Sequence, residues 1–129
     1  MVGIDMGLYY KLRKKIRELY NGSLCNSNEL CATLLEVKDK NKCVISMNID
    51  LSSNYIEFQF DEETDFDKVK KITDTVLKRI TSFISSNRNI LDMSSEEQKI
   101  FDIMIEGTGH DLLFCFDCII VGHGVKINL

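Results

Sequence analysis

Cys43-Val44-Ile45-Ser46-Met47-Asn48-Ile49-Asp50-Leu51, followed after Ser52-Ser53-Asn54 by Ile56, Phe58 and Phe60, is the stretch on which the fold turns. Apolar residues hold every second position in both runs, and a period of two marks a strand with one buried and one wet face. The polar Ser-Ser-Asn between them supplies a turn. Upstream, Glu29 to Val37 alternates less regularly and ends in the charged loop Lys38-Asp39-Lys40-Asn41-Lys42. Read as a further strand, it completes a three-stranded antiparallel meander. Pairing alone does not stabilise so small a sheet, so another element must cover its apolar face.

The cover is the segment from Asp65 to Ile84, where Phe66, Val69, Ile72, Val76, Leu77, Ile80, Phe83 and Ile84 fall on one helical stripe. Its charges suit the helix dipole, with Glu62, Glu63, Asp65 and Asp67 at the start and Lys78 and Arg79 late. The acidic run lacks the glycine turn and closing glutamate of a calcium loop, so it reads as helix-start chemistry. Ser94 and Glu97 have the spacing of a capping box, opening a second helix that carries Ile100, Phe101, Ile103, Met104 and Ile105 and stops at Gly107. At the N-terminus, Leu8, Tyr9, Leu12, Ile16, Leu19 and Tyr20 predict a helix over 7–20, with Asp5 as its cap and Gly22 as its stop. The unbroken apolar run Leu112 to Val121 predicts a central strand covered on both faces, and a turn at Gly122-His123-Gly124 leads to Val125–Leu129.

The expectation is a single α+β domain over 1–129: an N-terminal helix, a three-stranded antiparallel meander, two helices, and a C-terminal strand or hairpin joining the sheet. A chain of 129 residues buries roughly two thirds of its unfolded surface, enough for one core. With 44% hydrophobic and 28% charged residues it lies within the globular range. A net charge of −4 argues against nucleic acid as a general partner, because phosphate binding needs a concentrated positive field. Four cations precede any long apolar run, the wrong order for a signal peptide, and no stretch is long enough for a membrane span. A cytoplasmic protein whose five cysteines stay reduced is therefore expected. Twelve Lys against four Arg, fifteen Ile, nine Asn and one Ala suggest an AT-rich coding sequence, as in many viruses, phages, parasites and low-GC bacteria.

Chemistry concentrates near the C-terminal run. Cys115 and Cys118 have the two-residue spacing of metal and thiol-disulfide sites. Three positions apart in a strand they point to opposite faces, so core packing is the expectation and a metal site the weaker alternative. His110 and His123 bracket the run, about 30 Å or more apart if it is extended. His110 and Asp111, next to Gly107 and Gly109, are the candidates for general acid–base work. Asp117 in an apolar strand either faces solvent or a partner, or is paired within the core. Lys11, Lys14 and Lys15, with Arg13 and Arg17, form the basic cluster of the first helix, a solvated face or a binding contact for an acidic partner.

Met1-Val2-Gly3-Ile4-Asp5-Met6-Gly7 resembles the first phosphate-binding motif of the actin and Hsp70 ATPase family. The strands and two further motifs of that family have no room in this chain, so no nucleotide activity is read from seven residues. The order of elements and the acidic character resemble class I type III secretion chaperones, which are small dimers, although the Leu-Gly-rich motifs of that family are missing. With no catalytic motif and no cofactor implied, the expected function is a non-enzymatic protein-binding module of adaptor, inhibitor or chaperone type, virus- or phage-encoded, and a homodimer through sheet edges or a helix. The alternative is a small-molecule or metal-binding protein, enzymatic in one form, using Gly107–Asp111.

Overall fold

The alternating stretch forms a hairpin of β1 (Val44–Asp50) and β2 (Tyr55–Phe60). In this computed structural model the described residues are 6–22, 24, 26–105 and 117–129. Asp50 Oδ1 accepts from Ser52 Oγ and the Ser53 amide at 2.8 and 3.0 Å, the local bonding that turns a chain at Asp. Asn54 closes the loop in the left-handed region at φ 61°, which Asn tolerates better than most residues.

The alternation does not survive intact, because the register with β2 shifts between Val44 and Ser46. This bulge turns Val44 inward, 4% exposed, and Ile45 outward, 61% exposed, reversing the order that strict period two predicts. Beyond it Met47 and Ile49 return to the core side.

Glu29–Val37 is not a strand. It lies in α2 (Asn28–Lys40), where Leu30, Leu34 and Val37 at spacings of four and three are all buried. Helix formers such as Glu, Leu and Lys dominate the segment, and Lys40 pairs with Glu36 one turn away at 2.6 Å. Asn41 Nδ2 donates to the Val37 carbonyl and closes the end. The meander of three strands is thus a hairpin of two, preceded by a helix.

The covering helix is α3 (Phe66–Ser86), started by Asp65, whose Oδ1 accepts the Lys68 amide at 2.9 Å. Its buried stripe runs from Val69 to Ile84, while Phe66, expected on it, stands exposed under the Lys70 ammonium. A short 3₁₀ turn (Arg88–Leu91) leads to α4 (Ser95–Ile105). There the capping box is formed in both directions, Ser94 Oγ accepting the Glu97 amide and Glu97 Oε1 accepting the Ser94 amide. The first helix, α1 (Met6–Tyr20), stops as expected at Gly22, φ +91°. Its cap Asp5 and the stop Gly107 of α4 lie outside the described residues.

A second hairpin, β3 (Asp117–Val121) and β4 (Gly124–Asn128), completes the α+β fold with all four strands antiparallel in the order β1-β2-β4-β3. Its two-residue turn has φ +59° at Gly122, the position where a tight hairpin turn favours glycine. The helices pack on one face: Ile56, Phe58, Phe60, Val125 and Ile127 are buried beneath them, whereas Glu57, Gln59 and Lys126 face solvent. β4, rather than the run ending at Val121, is the inserted central strand. The described part of that run, Asp117–Val121, is an edge, and its start at Leu112 to Phe116 lies outside the described residues.

Candidate functional site at a sheet edge

β3 puts four consecutive apolar residues on the rim of the sheet. Register with β4 is continuous, Cys118 opposite Ile127, Ile119 opposite Lys126, Ile120 opposite Val125 and Val121 opposite Gly124. Alternation sends Cys118 and Ile120 to the helix side and Asp117, Ile119 and Val121 to the open side. Neither set is fully covered: Cys118 and Ile120 are half-buried against the core, Ile119 is 47% and Val121 74% exposed.

On the helix side, Cys118 and Ile120 form the floor of a groove of about 430 Å³ whose wall is α3, through Leu77, Thr73, Asp74, Lys70 and Lys71. On the open side, Ile119, Val121, Gly124 and Lys126 border a shallower depression of about 370 Å³ shared with Glu57 and Gln59 of β2. Gly124 keeps that surface low, since a Cβ there would lie 2.8 Å from Gln59 Nε2. Among the described residues no strand pairs with the outer edge of β3. Because the hairpin turn has two residues, Val121 and Gly124 form the hydrogen-bonded pair beside it, and alternation then turns the N–H and C=O of Cys118 and Ile120 outward.

Asp117 faces solvent at the start of this strand. The Cys118 thiol is pushed above its ordinary range, chiefly by burial and further by the Asp117 charge, so it is a poor nucleophile and a poor metal ligand in its protonated form. Cys115, its suggested metal partner, and the acid–base pair His110 and Asp111 lie outside the described residues, as does Cys25. Among the described residues no group of three or more His, Cys, Asp or Glu side chains is arranged to hold a metal ion.

The remaining polar candidates have structural partners. His123 Nε2 donates to the Thr64 carbonyl at 3.2 Å and its own carbonyl accepts the Phe60 amide at 2.8 Å, tying the β3–β4 turn to the loop before α3. In that loop a polar depression of about 370 Å³ is lined by Lys42, Cys43, Asp61, Glu63, Thr64, Asp65 and Lys68. Two of its carboxylates are committed, Asp61 Oδ1 to the Glu63 amide and Asp65 Oδ1 to the Lys68 amide.

The basic helix divides. Lys11 and Lys14 are exposed, but the Lys15 ammonium lies 3.0 Å from Glu97 Oε2 and donates to the Asp92 carbonyl, fastening α1 to the start of α4. Burial raises the pKa of the Glu97 carboxyl, but hydrogen bonds from Lys15 and Ser94 and the Lys15 charge outweigh it, and the net shift is downward. Arg17 Nε donates to the Leu129 main-chain oxygen at 3.1 Å.

The sequence of the C-terminal run does not mark Ile119, Ile120 and Val121 as a surface, although they stand within it. Their continuous apolar character was the available signal, but it reads equally as burial on both faces.

No family model, no curated protein and no solved structure matches this chain. No helix among the described residues is long and apolar enough to cross a membrane.

Proposed function

We propose that this chain is a non-enzymatic protein-binding module, of adaptor, inhibitor or chaperone type, that accepts a strand of a partner on the edge of β3 that no described strand pairs with. One observation carries the reading: a regular edge strand with Ile119 and Val121 exposed on one face, Cys118 and Ile120 half-buried on the other, and outward amides on Cys118 and Ile120. Added strands gain main-chain hydrogen bonds along such an edge and side-chain specificity from pockets on either face, and grooves border both faces here. Sheet edges of this kind are ordinarily blunted by charge, proline or a bulge, and β3 carries none of these between Cys118 and Val121. Lys11 and Lys14 are proposed as a secondary contact for an acidic partner, supported by their exposure on α1. A cytoplasmic setting in a virus- or phage-infected cell is part of the same proposal and rests on composition alone.

A photoreactive phenylalanine analogue at Val121 tests the edge. Irradiation in cells making the protein is expected to yield adducts that mass spectrometry maps to one segment of one protein, foreign or a second copy, and that Ile120→Lys abolishes. Adducts scattered over many proteins, or no more abundant than from the same analogue at Glu62, overturn the reading.

A further inference from the structure

We infer that Asn21 is a site of spontaneous deamidation, left open by the fold at the end of α1, where the ageing chain gains a carboxylate. Asn is a thermally labile residue, and the reaction is intramolecular. The main-chain nitrogen of the following residue attacks Asn Cγ, so that an N–Cγ bond forms and the Cγ–Nδ2 bond breaks. Nδ2 leaves as ammonia, taking the proton that the main-chain amide gives up. Water then opens the five-membered imide, giving Asp when it adds at Cγ and isoaspartate when it adds at the main-chain carbonyl carbon. Two things oppose the attack: a side chain on the following residue, which blocks the approach, and a fold that holds the attacking amide in a hydrogen bond.

Neither obstacle stands at Asn21. It is followed by Gly22, whereas every other Asn precedes a residue with a side chain. The helix ends at Tyr20, and the last regular bond runs from the Asn21 main-chain amide to the Arg17 carbonyl at 3.0 Å. The next bond of the turn, from the Leu24 amide to the Glu18 carbonyl at 3.0 Å, passes over Gly22, whose own amide has no acceptor among the described residues. Gly22 is exposed and stands at φ +91°, and a Cβ added there would meet nothing nearer than Ser27 Oγ at 4.0 Å. The attacking nitrogen is therefore unbonded, uncrowded and open to water. At the ends of α2 and α3 the arrangement is the opposite: Asn41 Nδ2 donates to the Val37 carbonyl and Asn87 Nδ2 to the Phe83 carbonyl, so the group that must leave is held by the helix.

The product acts on α1. A carboxylate at position 21 adds one negative charge to the −4 of the chain and puts it at the negative end of the helix dipole. It does so directly after Leu19 and Tyr20, both buried in the core. Isoaspartate also lengthens the main chain by one carbon next to the glycine that stops the helix. Both products loosen the end of α1.

Peptide mass spectrometry of the full folded chain, incubated at neutral pH in water made with heavy oxygen, tests the site. The peptide that holds Asn21 is expected to gain three daltons ahead of every other Asn peptide. Its rate is expected to lie within a few-fold of the rate in guanidinium, because the fold withholds nothing that the reaction needs. Asn21→Gln is expected to abolish the gain, since the longer side chain must close a larger ring. The Asn21→Asp chain, which carries the charge without the added carbon, is expected to melt below the natural chain by circular dichroism. A folded chain in which another Asn reacts first, or in which Asn21 reacts far more slowly than in guanidinium, overturns the site. An Asn21→Asp chain that melts as high as the natural one overturns the loosening of α1.

Discussion

Along β1 the register with β2 slips between Val44 and Ser46, Ser46 and Asn48 face solvent, and α2 packs beside the strand; along β3 the register with β4 never slips, and four apolar residues follow one another to the rim. A bulge twists an edge and breaks the row of amides that another chain would read. β1 is thus defended by its own backbone, at the cost of leaving Ile45 exposed. β3 has no comparable device, and its one charge, Asp117, sits at the end of the strand rather than inside it. Among the described residues, the two edges of one sheet thus differ in kind, one interrupted by a bulge and one left regular and apolar.

The contrast can be broken most forcefully by substitutions in the neighbouring strands β4 and β3. Ile127 is fully buried in the central strand and faces Ile56 on one side and Cys118 on the other. Ile127→Ala is expected to lower unfolding free energy by about 2–5 kcal/mol in urea titrations of dilute protein, whereas Ile119→Ala, one strand outward on the open face, lowers it by less than about 1 kcal/mol. Equal losses would mean that β3 is as buried as β4. The bulge gives the next test. Val44→Thr places a hydroxyl in the core and is expected to cost about 1–3 kcal/mol, whereas Ile45→Thr stays within about 0.5 kcal/mol. The reverse order would restore strict alternation and remove the difference between the two edges. Gly122→Ala forces a side chain into the left-handed region and is expected to cost about 1–2 kcal/mol, with faster exchange of the Ile119 and Val121 amides that bond to β4.

What could be read in the sequence was what neighbouring residues decide among themselves. The acidic start of α3 at Asp65, the α3 stripe from Val69 onward and the Ser94–Glu97 box each depend on contacts within four positions, and these stand in the structure, while Phe66, expected on the stripe, does not. Glu29–Val37 misled because the adjacent apolar pairs Leu30-Cys31 and Leu34-Leu35, of which Leu35 stands exposed, blur the Leu30-Leu34-Val37 stripe, so a helix with a modest apolar face resembled an irregular strand. The bulge is invisible in one strand alone, since it exists only in the pairing of Val44 and Ser46 with Phe60 and Gln59. Edge and centre were exchanged for the same reason: an apolar run states that a strand is covered, but strand order is set by how the last hairpin docks. At the basic helix, the partner that occupies Lys15 is Glu97, 82 positions away. Such pairings lie beyond what spacing can report.

The smallest expected effect is chemical. Cys118 lies on the helix side of the β3 edge, on the floor of the groove, and its thiol is held above the ordinary range mainly by burial and secondarily by Asp117. A raised thiol pKa leaves less thiolate at pH 8, and only the thiolate is alkylated. Asp117→Asn removes the neighbouring negative charge, lowers the pKa and is expected to speed iodoacetamide labelling of Cys118 a few-fold, followed by peptide mass spectrometry in dilute solution. Leu77→Ala opens the α3 wall of the groove and relieves the burial, so it is expected to speed labelling more. A larger acceleration from Asp117→Asn than from Leu77→Ala would make charge the dominant cause and would place Cys118 nearer to solvent than a half-covered floor residue should be. The expected order, Leu77→Ala above Asp117→Asn, follows because burial beside α3, more than the neighbouring charge, raises the thiol.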